Sequence, residues 1–386
     1  DRDPDELSVL GSGDVDELTQ WATRFLALHQ SASLSTMLDA ALDRVYSASP
    51  AETFFTGGGL HRFENFNKDD DNRSMTVREA FHNSVNLVFI RIMRDLVRYY
   101  IVQRHASLRG PRASPTAPER QEYLARFADQ EGQKYLTRFY QKYRSMTTDA
   151  ALSTLISTIK ASPIRLAVIF RSVLPEADYA SFCTFLREQL PQSDLSAKTL
   201  AALYQRYSID AYSLVDRGFL AQVHPLELWM IAYLHRFPQA TLADAIRDSA
   251  QERQRVYTWL FKTRNKQVQD TRIQIVMEHE AFQEIHRSWR RLRYPFEWLV
   301  PSYATAIGSS ADRPAALAEL VGIIQNDGIF LPSLCVQKLH FARGTPYETV
   351  MAPAERKGEQ VLAPEIARAV RRELAGVVEK LSLIHI

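Results

Sequence analysis

Apolar and polar residues alternate at helical spacing in the stretch REAFHNSVNLVFIRIMRDLVRYY, residues 78–100. Thr76 is followed three residues later by Glu79, a capping-box pattern that predicts a helix beginning at Val77. Further apolar residues recur every three or four positions on one face of this helix: Phe81, Val85, Val88, Ile92 and Leu96. The pattern predicts an amphipathic helix with one face packed on a core.

Three polar residues interrupt this pattern: Asn83, Ser84 and Asn86. On an unbroken helix, Ser84 and Asn86 lie about 200° apart around the axis and cannot contact one ligand. If the first helix instead ends near His82, Asn86 can cap a second helix that begins at Leu87. Ser84 and Asn86 would then project from one connecting turn. The pattern alone leaves both structures open, a kinked helix or two helices flanking a site.

The remaining chain predicts a mainly α fold with a few short strands. A first helical block covers about residues 15–46, and helix follows helix from about Glu119 to Arg293. Asn326-Asp327-Gly328 is a turn signal, and the alternating run IFLPSLCVQKLHFA after it predicts short strands. A last helix is predicted at about residues 364–379.

Composition narrows the classes of protein. The chain has 386 residues, of which 46% are hydrophobic, and a formal net charge of +2, so no strong positive field indicates nucleic-acid binding. Cys183 and Cys335 are too few for a zinc site of their own and are predicted to be buried free thiols. No stretch approaches 18 consecutive apolar residues, the length of a transmembrane helix.

The segment around Ser84 resembles the middle active-site motif, S-x-N, of the transpeptidase domain of bifunctional penicillin-binding proteins. The resemblance extends over YSASPAETFFTGGG and FENFNKDDDNRSMTVREAFHNSVNLVFIRIMRD. Two later segments are similar to the family in the expected order, VPSYATAIGSSADRPAALAELVGIIQNDGIFLP and VLAPEIARAVRRELAGVVEK. This family resemblance implies a partial serine β-lactamase-like α+β domain, with Ser84 and Asn86 as the first and last residues of S-x-N.

The resemblance also implies a function, peptidoglycan D,D-transpeptidation. Ser84 would relay a proton to the leaving amine, and Asn86 would orient the amide of the substrate. Implied partners are peptidoglycan stem peptides and β-lactams, with other cell-wall synthesis proteins as further candidates. No cofactor or metal is implied. The family works on the periplasmic face of the bacterial inner membrane, with a membrane anchor and often a glycosyltransferase domain expected outside this fragment.

The domain organisation that follows has four parts. Residues 1–110 carry the S-x-N motif, and residues 294–380 form the segment before the K-T-G strand of the family. Between them, residues 111–293 are predicted to be a helical insertion, which begins with the proline-rich linker GPRASPTAPER. Residues 381–386, LSLIHI, depart from the family and are predicted to be a non-native tail. The nucleophile motif S-x-x-K is expected before Asp1 and K-T-G after Glu379.

Other motifs are weaker. Ser157 and Lys160 match S-x-x-K by letters, but they follow S-x-N in the chain and are predicted at a helix C-terminus, whereas a nucleophile benefits from an N-terminus. KTR, residues 262–264, lacks the glycine of K-T-G. DDDN, residues 69–72, lacks the glycine and distal glutamate of an EF-hand, and TGGGL lacks the lysine of a phosphate loop.

One predicted helix surface near the end of the insertion combines histidine and glutamate side chains. His279 and His286 share a predicted helix face with Glu280 and Glu284, and we expect a solvated surface there rather than a metal site. The arginine cluster in residues 286–298 is expected to be a surface or partner contact rather than a phosphate site. A second reading of the whole chain is a non-catalytic helical interaction or scaffold protein of the cell-wall machinery, with residues 111–293 as the working part.

Overall fold

The computed structural model describes residues 16–105, 118–193, 195–263, 265–352 and 357–385. The chain is mainly helical with a few short strands, as the sequence predicts. It divides into two compact units, one built from Asp1–Leu108 and Met277–Ile386 and the other from Arg109–Val276. The division falls within one long helix, so the residues of that helix from 277 onward belong to the first unit.

The first unit combines helices with four antiparallel two-stranded sheets, which pair β1 with β4, β2 with β3, β5 with β8 and β6 with β7. Its strands are β1 Val45–Ser47, β2 Phe54–Thr56, β3 Gly59–His61, β4 Ser74–Thr76, β5 Ile329–Phe330, β6 Leu339–Phe341, β7 Thr349–Met351 and β8 Glu359–Gln360. Its helices before the second unit are α1 Glu17–Leu28, α2 Leu34–Leu42, α3 Val77–His82 and α4 Asn86–His105.

The second unit is helical throughout its described residues. Its helices are α5 Pro118–Tyr143, α6 Thr148–Ile156, α7 Pro163–Val173, α8 Tyr179–Gln189, α9 Ala197–Arg206, α10 Leu214–Ala221, α11 Pro225–Arg236, α12 Leu242–Asp248, α13 Ala250–Val256 and α14 Thr258–Lys262. The long helix α15, Lys266–Arg291, follows, and the chain ends with α16 Pro314–Gln325 and α17 Pro364–His385. Short 3-10 helices lie at Lys68–Asp70, Ile209–Ala211 and Tyr303–Ile307.

The core of the first unit forms around α4. Residues at three- and four-residue spacing share one side of a helix, so the apolar residues of α4 form one face. That face packs against the C-terminal part of α15 and the segment after it, and it is almost completely buried. The buried members of this cluster are Phe54, Leu87, Ile90, Met93, Val97, Ala281, Phe282, Ile285, Leu299 and Tyr303. A second cluster under α3 contains Ala48, Met75, Ala80, Val85 and Val88.

In the second unit, α11 packs against α5 and α7, while α13 packs against α5 and α10 against α7. A charged side chain lies within this packing. Arg253 is 4% exposed and donates to Asp129, to the carbonyl of Ile246 and to the hydroxyl of Ser249. It fits because Gly132 on α5 has no side chain, and a Cβ there would lie 2.6 Å from Cδ of Arg253.

The structure bears on several local expectations. The second compact unit, residues 109–276, ends earlier than the predicted insertion, residues 111–293, and the insertion itself stays a prediction. Cys183 is buried as predicted, but the prediction for Cys335 is wrong, because its side chain is exposed. The short strands predicted in the run after Asn326 are present as β5 and β6, and β5 pairs with β8 from further along the chain. Part of the predicted linker, residues 110–117, lies outside the described residues.

The last helix is also longer than predicted. It was expected to end near Glu379, but α17 continues to His385. Residues 381–385 of the proposed non-native tail therefore continue the helix, and Ile386 lies outside the described residues. A helical backbone does not depend on the origin of these residues, and the non-native tail stays a prediction.

Candidate functional site

The helix breaks between His82 and Asn86. α3 begins with the hydroxyl of Thr76 accepting the amide of Glu79 at 3.0 Å and ends at His82. The amide of Ser84 then donates to the carbonyl of Phe81, and the amide of Val85 donates to that of Ala80. This pair of bonds is a Schellman motif, which closes a helix through one residue in the left-handed conformation.

Ser84 is that left-handed residue, with φ of 54°. A residue with a Cβ is strained there by about 1 kcal/mol, which is why glycine is the usual choice. The same backbone motif ends other helices in this chain, with Gln222 after α10 and Arg293 after α15 at positive φ. The left-handed conformation of Ser84 is therefore a helix ending that this chain uses repeatedly, and at Ser84 it also exposes a hydroxyl.

The start of α4 is fixed from outside the turn. The side chain of Asn65 is 3% exposed, and its Oδ1 accepts the amide of Leu87 at 3.0 Å. Its Nδ2 donates to the carbonyl of Ala48 at 2.8 Å and to Asp71 at 2.9 Å. Asn65 therefore joins three segments at the first turn of α4. Both N–H groups of its amide donate a hydrogen bond.

Of the two structures that the sequence pattern left open, the chain adopts two helices separated after His82, but the predicted cap is wrong. α4 includes Asn86 as its first residue, and the capping oxygen comes from Asn65. The side chain of Asn86 instead donates to the carbonyl of Glu64 at 3.1 Å. Capping by Asn65 is preferred because its buried side chain is already held in place by two donor bonds, which lowers the entropy cost of the third.

Ser84 and Asn86 thus lie at a single turn. The backbone bonds of the Schellman motif hold Ser84, which is exposed, and no hydrogen bond involves its hydroxyl within the described residues. Asn86 is half-buried, with its amide nitrogen engaged by Glu64. The turn offers a hydroxyl that can donate and accept hydrogen bonds and an amide oxygen that can accept them. Their catalytic roles stay a prediction.

α17 supports α3 from the side. Glu373 on α17 is 4% exposed, forms an ion pair with Arg78 of α3, and has a carboxylate oxygen 3.1 Å from Nε2 of His82. Gly376 lies directly over His82, where a Cβ would be 2.6 Å from Nε2. The segment VLAPEIARAVRRELAGVVEK therefore packs on the helix that leads into Ser84, because a glycine and a buried carboxylate face the two basic side chains.

Sequence reasoning missed a buried carboxyl group at the tight turn of β2 and β3. Glu278 is 4% exposed, and it accepts the hydroxyl of Thr56 at 2.5 Å and the amide of Gly57 at 3.1 Å. Thr56 in turn accepts the amide of Tyr303 at 3.0 Å. Burial raises the pKa of Glu278 to about 7, and the two donated hydrogen bonds oppose that rise.

Little in the sequence marked Glu278. It lies on the face of α15 where Ala281, Phe282 and Ile285 are buried, and a lone glutamate among apolar residues gives no motif. The glycines of TGGGL, by contrast, have a clear local role. Gly57 and Gly58 have φ of 60° and 80°, so they form the two-residue turn that joins β2 to β3.

Histidine and glutamate side chains of α15 contact other parts of the first unit. His286 contacts the carbonyl of Phe296 at 2.9 Å, and Arg104 pairs with Glu280 and Glu284. Among the described residues, no group of histidine, cysteine and carboxylate side chains is arranged to hold a metal ion. Arg293, in the predicted arginine cluster, stacks over the ring of Phe330.

The motifs set aside on sequence grounds occupy these places. Ser157 lies at the C-terminus of α6, and its hydroxyl donates to the carbonyl of Thr154 at 2.8 Å. Lys160 is exposed three residues later. Lys262 ends α14, while Arg264 lies outside the described residues. Asp70 is buried and pairs with Arg73 at 2.9 Å, so the DDDN loop contains one internal ion pair.

An apolar cavity of about 310 Å³ lies in the first unit, away from Ser84. Its walls come from α2, α3, α4, β1 and α17, and include Leu38, Phe81, Phe89, Ile366 and Val370. The lining is mostly apolar, and its polar members are Arg44, Tyr46 and Glu373.

Comparisons with protein-family models, with curated proteins and with solved structures give no match to this chain. None of the helices in the described ranges has both the length and the apolar character needed to cross a bilayer. The resemblance to penicillin-binding proteins therefore depends on the segments quoted above.

Proposed function

We propose that the first unit is part of a penicillin-binding transpeptidase domain, which cross-links peptidoglycan stem peptides by transferring an acyl group through a serine. The observation that supports this proposal best is the turn at Ser84. It separates two helices and exposes the serine hydroxyl beside Asn86, the arrangement that an S-x-N motif needs. β-Lactams would bind at the same place because they resemble the D-alanyl end of the stem peptide.

In the proposed reaction, a serine of the S-x-x-K motif attacks the peptide carbonyl and releases D-alanine. Ser84 passes a proton to the leaving amine, since a hydroxyl can accept and donate in one step. Asn86 holds the substrate amide with the oxygen that its bond to Glu64 leaves available. The S-x-x-K and K-T-G motifs would be contributed by segments outside residues 1–386. The reaction needs no metal or organic cofactor, and it belongs on the periplasmic face of the inner membrane.

The proposal can be tested with the full-length gene product and a fluorescent penicillin. Ser84→Ala should slow acylation by roughly 10²–10⁴, the usual effect of losing a proton-transfer group. Asn83→Ala is the matched control, because Asn83 is the adjacent exposed residue and its side chain only bonds the carbonyl of Glu79. Acylation of Ser84→Ala at the wild-type rate would overturn the assignment.

The 386-residue chain provides a second test. It should form no covalent adduct with the penicillin, because the proposed nucleophile is not in it. An adduct that survives denaturation and disappears in Ser157→Ala would place the nucleophile in the second unit and contradict the proposal. Ser153→Ala, an exposed serine on the same helix, is the control.

A second candidate function is that of a helical interaction protein of the cell-wall machinery. The observation that favours it is that residues 109–276 form a compact unit with their own buried helices and a large pocket. Deleting that unit in the full-length protein should leave penicillin acylation intact under the first proposal. Loss of a cell-wall partner without loss of acylation would assign the two functions to different units.

A further inference from the structure

A pocket of about 590 Å³ opens on the surface of the second unit. It lies where α10, α11, α13 and α14 meet, and its lining combines aromatic and charged side chains. A volume of this size is ordinary for small-molecule sites. Its principal lining residues are Arg217, Arg255, Asp216, Glu252, Trp229 and Trp259.

Three of the four charged residues in the pocket already have partners. Glu252 pairs with Arg255 at 2.6 Å. Asp216 accepts the hydroxyl of Ser213 at 2.6 Å, within the first turn of α10. These contacts satisfy the two carboxylates and one of the two cations, so they leave one charged group in the pocket to account for.

Arg217 is the remaining charged group. Its guanidinium forms no hydrogen bond and no ion pair with any residue in the described part of the chain, and its Nε is buried without a partner. Glu252 and Asp210 lie close enough to favour the charged form, but burial outweighs them and lowers the pKa of Arg217. The side chain is partly exposed and lines the pocket, and its terminal nitrogens have no acceptor among the described residues. An acceptor oxygen in the pocket would therefore give them charge-assisted hydrogen bonds.

The aromatic walls restrict the shape of what fits. Trp229 stacks on Tyr233 with ring centroids 4.6 Å apart, which fixes its orientation. Trp259 is 51% exposed, an unusual exposure for so large an apolar side chain. Flat rings at a pocket mouth favour a planar or apolar group that covers them.

We propose that this pocket binds a small monocarboxylate with a flat apolar body. Arg217 receives the carboxylate through its terminal nitrogens, which form charge-assisted hydrogen bonds with planar oxyanions, and Trp259 and Trp229 cover the body. A cation would face Arg217 without compensation. A phosphate dianion would add a second negative charge beside Asp216 and Glu252, so a single carboxylate is the better match.

The test uses the full chain, 3-phenylpropionate as the probe and nuclear magnetic resonance of the tryptophan indole N–H groups. The chain has 5 tryptophans, so each indole signal can be followed and the Trp259 signal assigned from Trp259→Phe. We expect saturable shifts at the signals of Trp229 and Trp259, with a dissociation constant of roughly 1–10 mM for a ligand of this size. The neutral 3-phenylpropanamide, which has the same shape, should bind at least about tenfold more weakly.

Arg217→Gln should lower the affinity for 3-phenylpropionate by roughly ten- to a hundredfold. Arg247→Gln is the matched control, an exposed arginine of the same unit that pairs with Asp244 and Asp248 and does not line the pocket. Equal affinity for the carboxylate and the amide would overturn the proposal. So would equal or tighter binding of inorganic phosphate, or an affinity that Arg217→Gln leaves unchanged. The comparison of the two ligands needs no variant, so it decides the question even if Arg217→Gln fails to fold.

Discussion

One helix of the first unit, α4, starts by a different means from most helices of the second unit. In the second unit, most helices after α5 are capped by a side chain three residues before the amide that it binds. These local caps are Thr147, Ser162, Asp178, Ser196, Ser213 and Thr241. The first unit also has local caps, but α4, which starts at the candidate site, is capped by Asn65 from 22 residues away.

The difference separates scaffold from candidate site. A local cap is encoded within one turn and forms as soon as the helix forms. The bond between Asn65 and Leu87 requires that the loop after β3 already lies against α4, so the turn at Ser84 is set by packing over a long stretch of chain. The conformation of Ser84 therefore depends on the packing of the first unit. The starts of most helices in the second unit depend only on residues three positions away in sequence.

The largest effect on this comparison is expected from removing the long-range cap. Asn65→Ala leaves the amide of Leu87 and the carbonyl of Ala48 buried without partners and should destabilise the first unit by about 2–4 kcal/mol. Asp178→Ala, which removes an exposed local cap from α8, should cost about 1 kcal/mol. Urea unfolding measures the loss of stability in both variants, and amide hydrogen exchange in α4 and α8 shows which helix is affected. Equal losses at the two helices would contradict the distinction between local and long-range capping.

Glu278 should make the stability of the first unit depend on pH. The pKa of Glu278 is about 7 in the folded chain and about 4.5 when unfolded, so the folded state binds the proton more tightly. Stability should therefore be highest below about pH 4.5, fall as pH rises to about 7, and then level off, with a loss of about 3 kcal/mol from this group.

Glu278→Gln should remove that slope and stabilise the chain above pH 7. Its amide oxygen can accept from Gly57, and its NH₂ can donate to the hydroxyl of Thr56, so the hydrogen bonds remain satisfied. The measurement is the difference in unfolding free energy between the variant and wild type from pH 4 to pH 8. Because the other titrating groups cancel in this difference, a flat difference would show that the pKa of Glu278 is the same in the folded and unfolded chain, which would contradict the prediction.

Two helical glycines test how far tertiary contacts override local preference. Glycine is unfavourable inside a helix by about 0.5–1 kcal/mol relative to alanine. Gly322 on α16 has open space around it, so Gly322→Ala should stabilise by that amount. Gly132 faces Arg253, and Gly132→Ala should destabilise by about 1–3 kcal/mol through overpacking. Thermal unfolding of both variants shows whether each substitution stabilises or destabilises the chain. If Gly132→Ala stabilises it, the side chain of Arg253 moves aside at little cost in free energy.

The smallest effect concerns the left-handed helix ends. Ser84→Gly and Gln222→Gly should each stabilise the chain by about 0.5–1 kcal/mol, because both residues have φ near 55°. Ser84→Ala keeps the strain and should leave stability nearly unchanged. If Ser84 carries the proposed role, Ser84→Gly should gain stability while losing acylation of the full-length protein, and Gln222→Gly should gain stability alone. Parallel loss in both glycine variants would show that acylation follows the backbone and not the hydroxyl.

The sequence by itself determined the mainly helical fold and the capping of α3 by Thr76, and it marked the residues after His82 as the place where the helix kinks or breaks. These features depend on residues within one turn of each other, and Asn83, Ser84 and Asn86 are poor helix residues wherever they occur. The sequence also indicated Ser84 and Asn86 as a pair, through spacing and through resemblance to a family motif.

Only the tertiary structure decided the rest. It gave the cap of α4 to Asn65 in place of Asn86, it buried Glu278 against the turn of β2 and β3, and it left Arg217 without a partner in a pocket walled by tryptophans. Each of these outcomes depends on which distant segments meet and on how much water they exclude. The burial of a single polar residue and its proximity to distant segments leave no periodic trace in the chain, so a lone asparagine, glutamate or arginine shows its role only once the segments around it are packed.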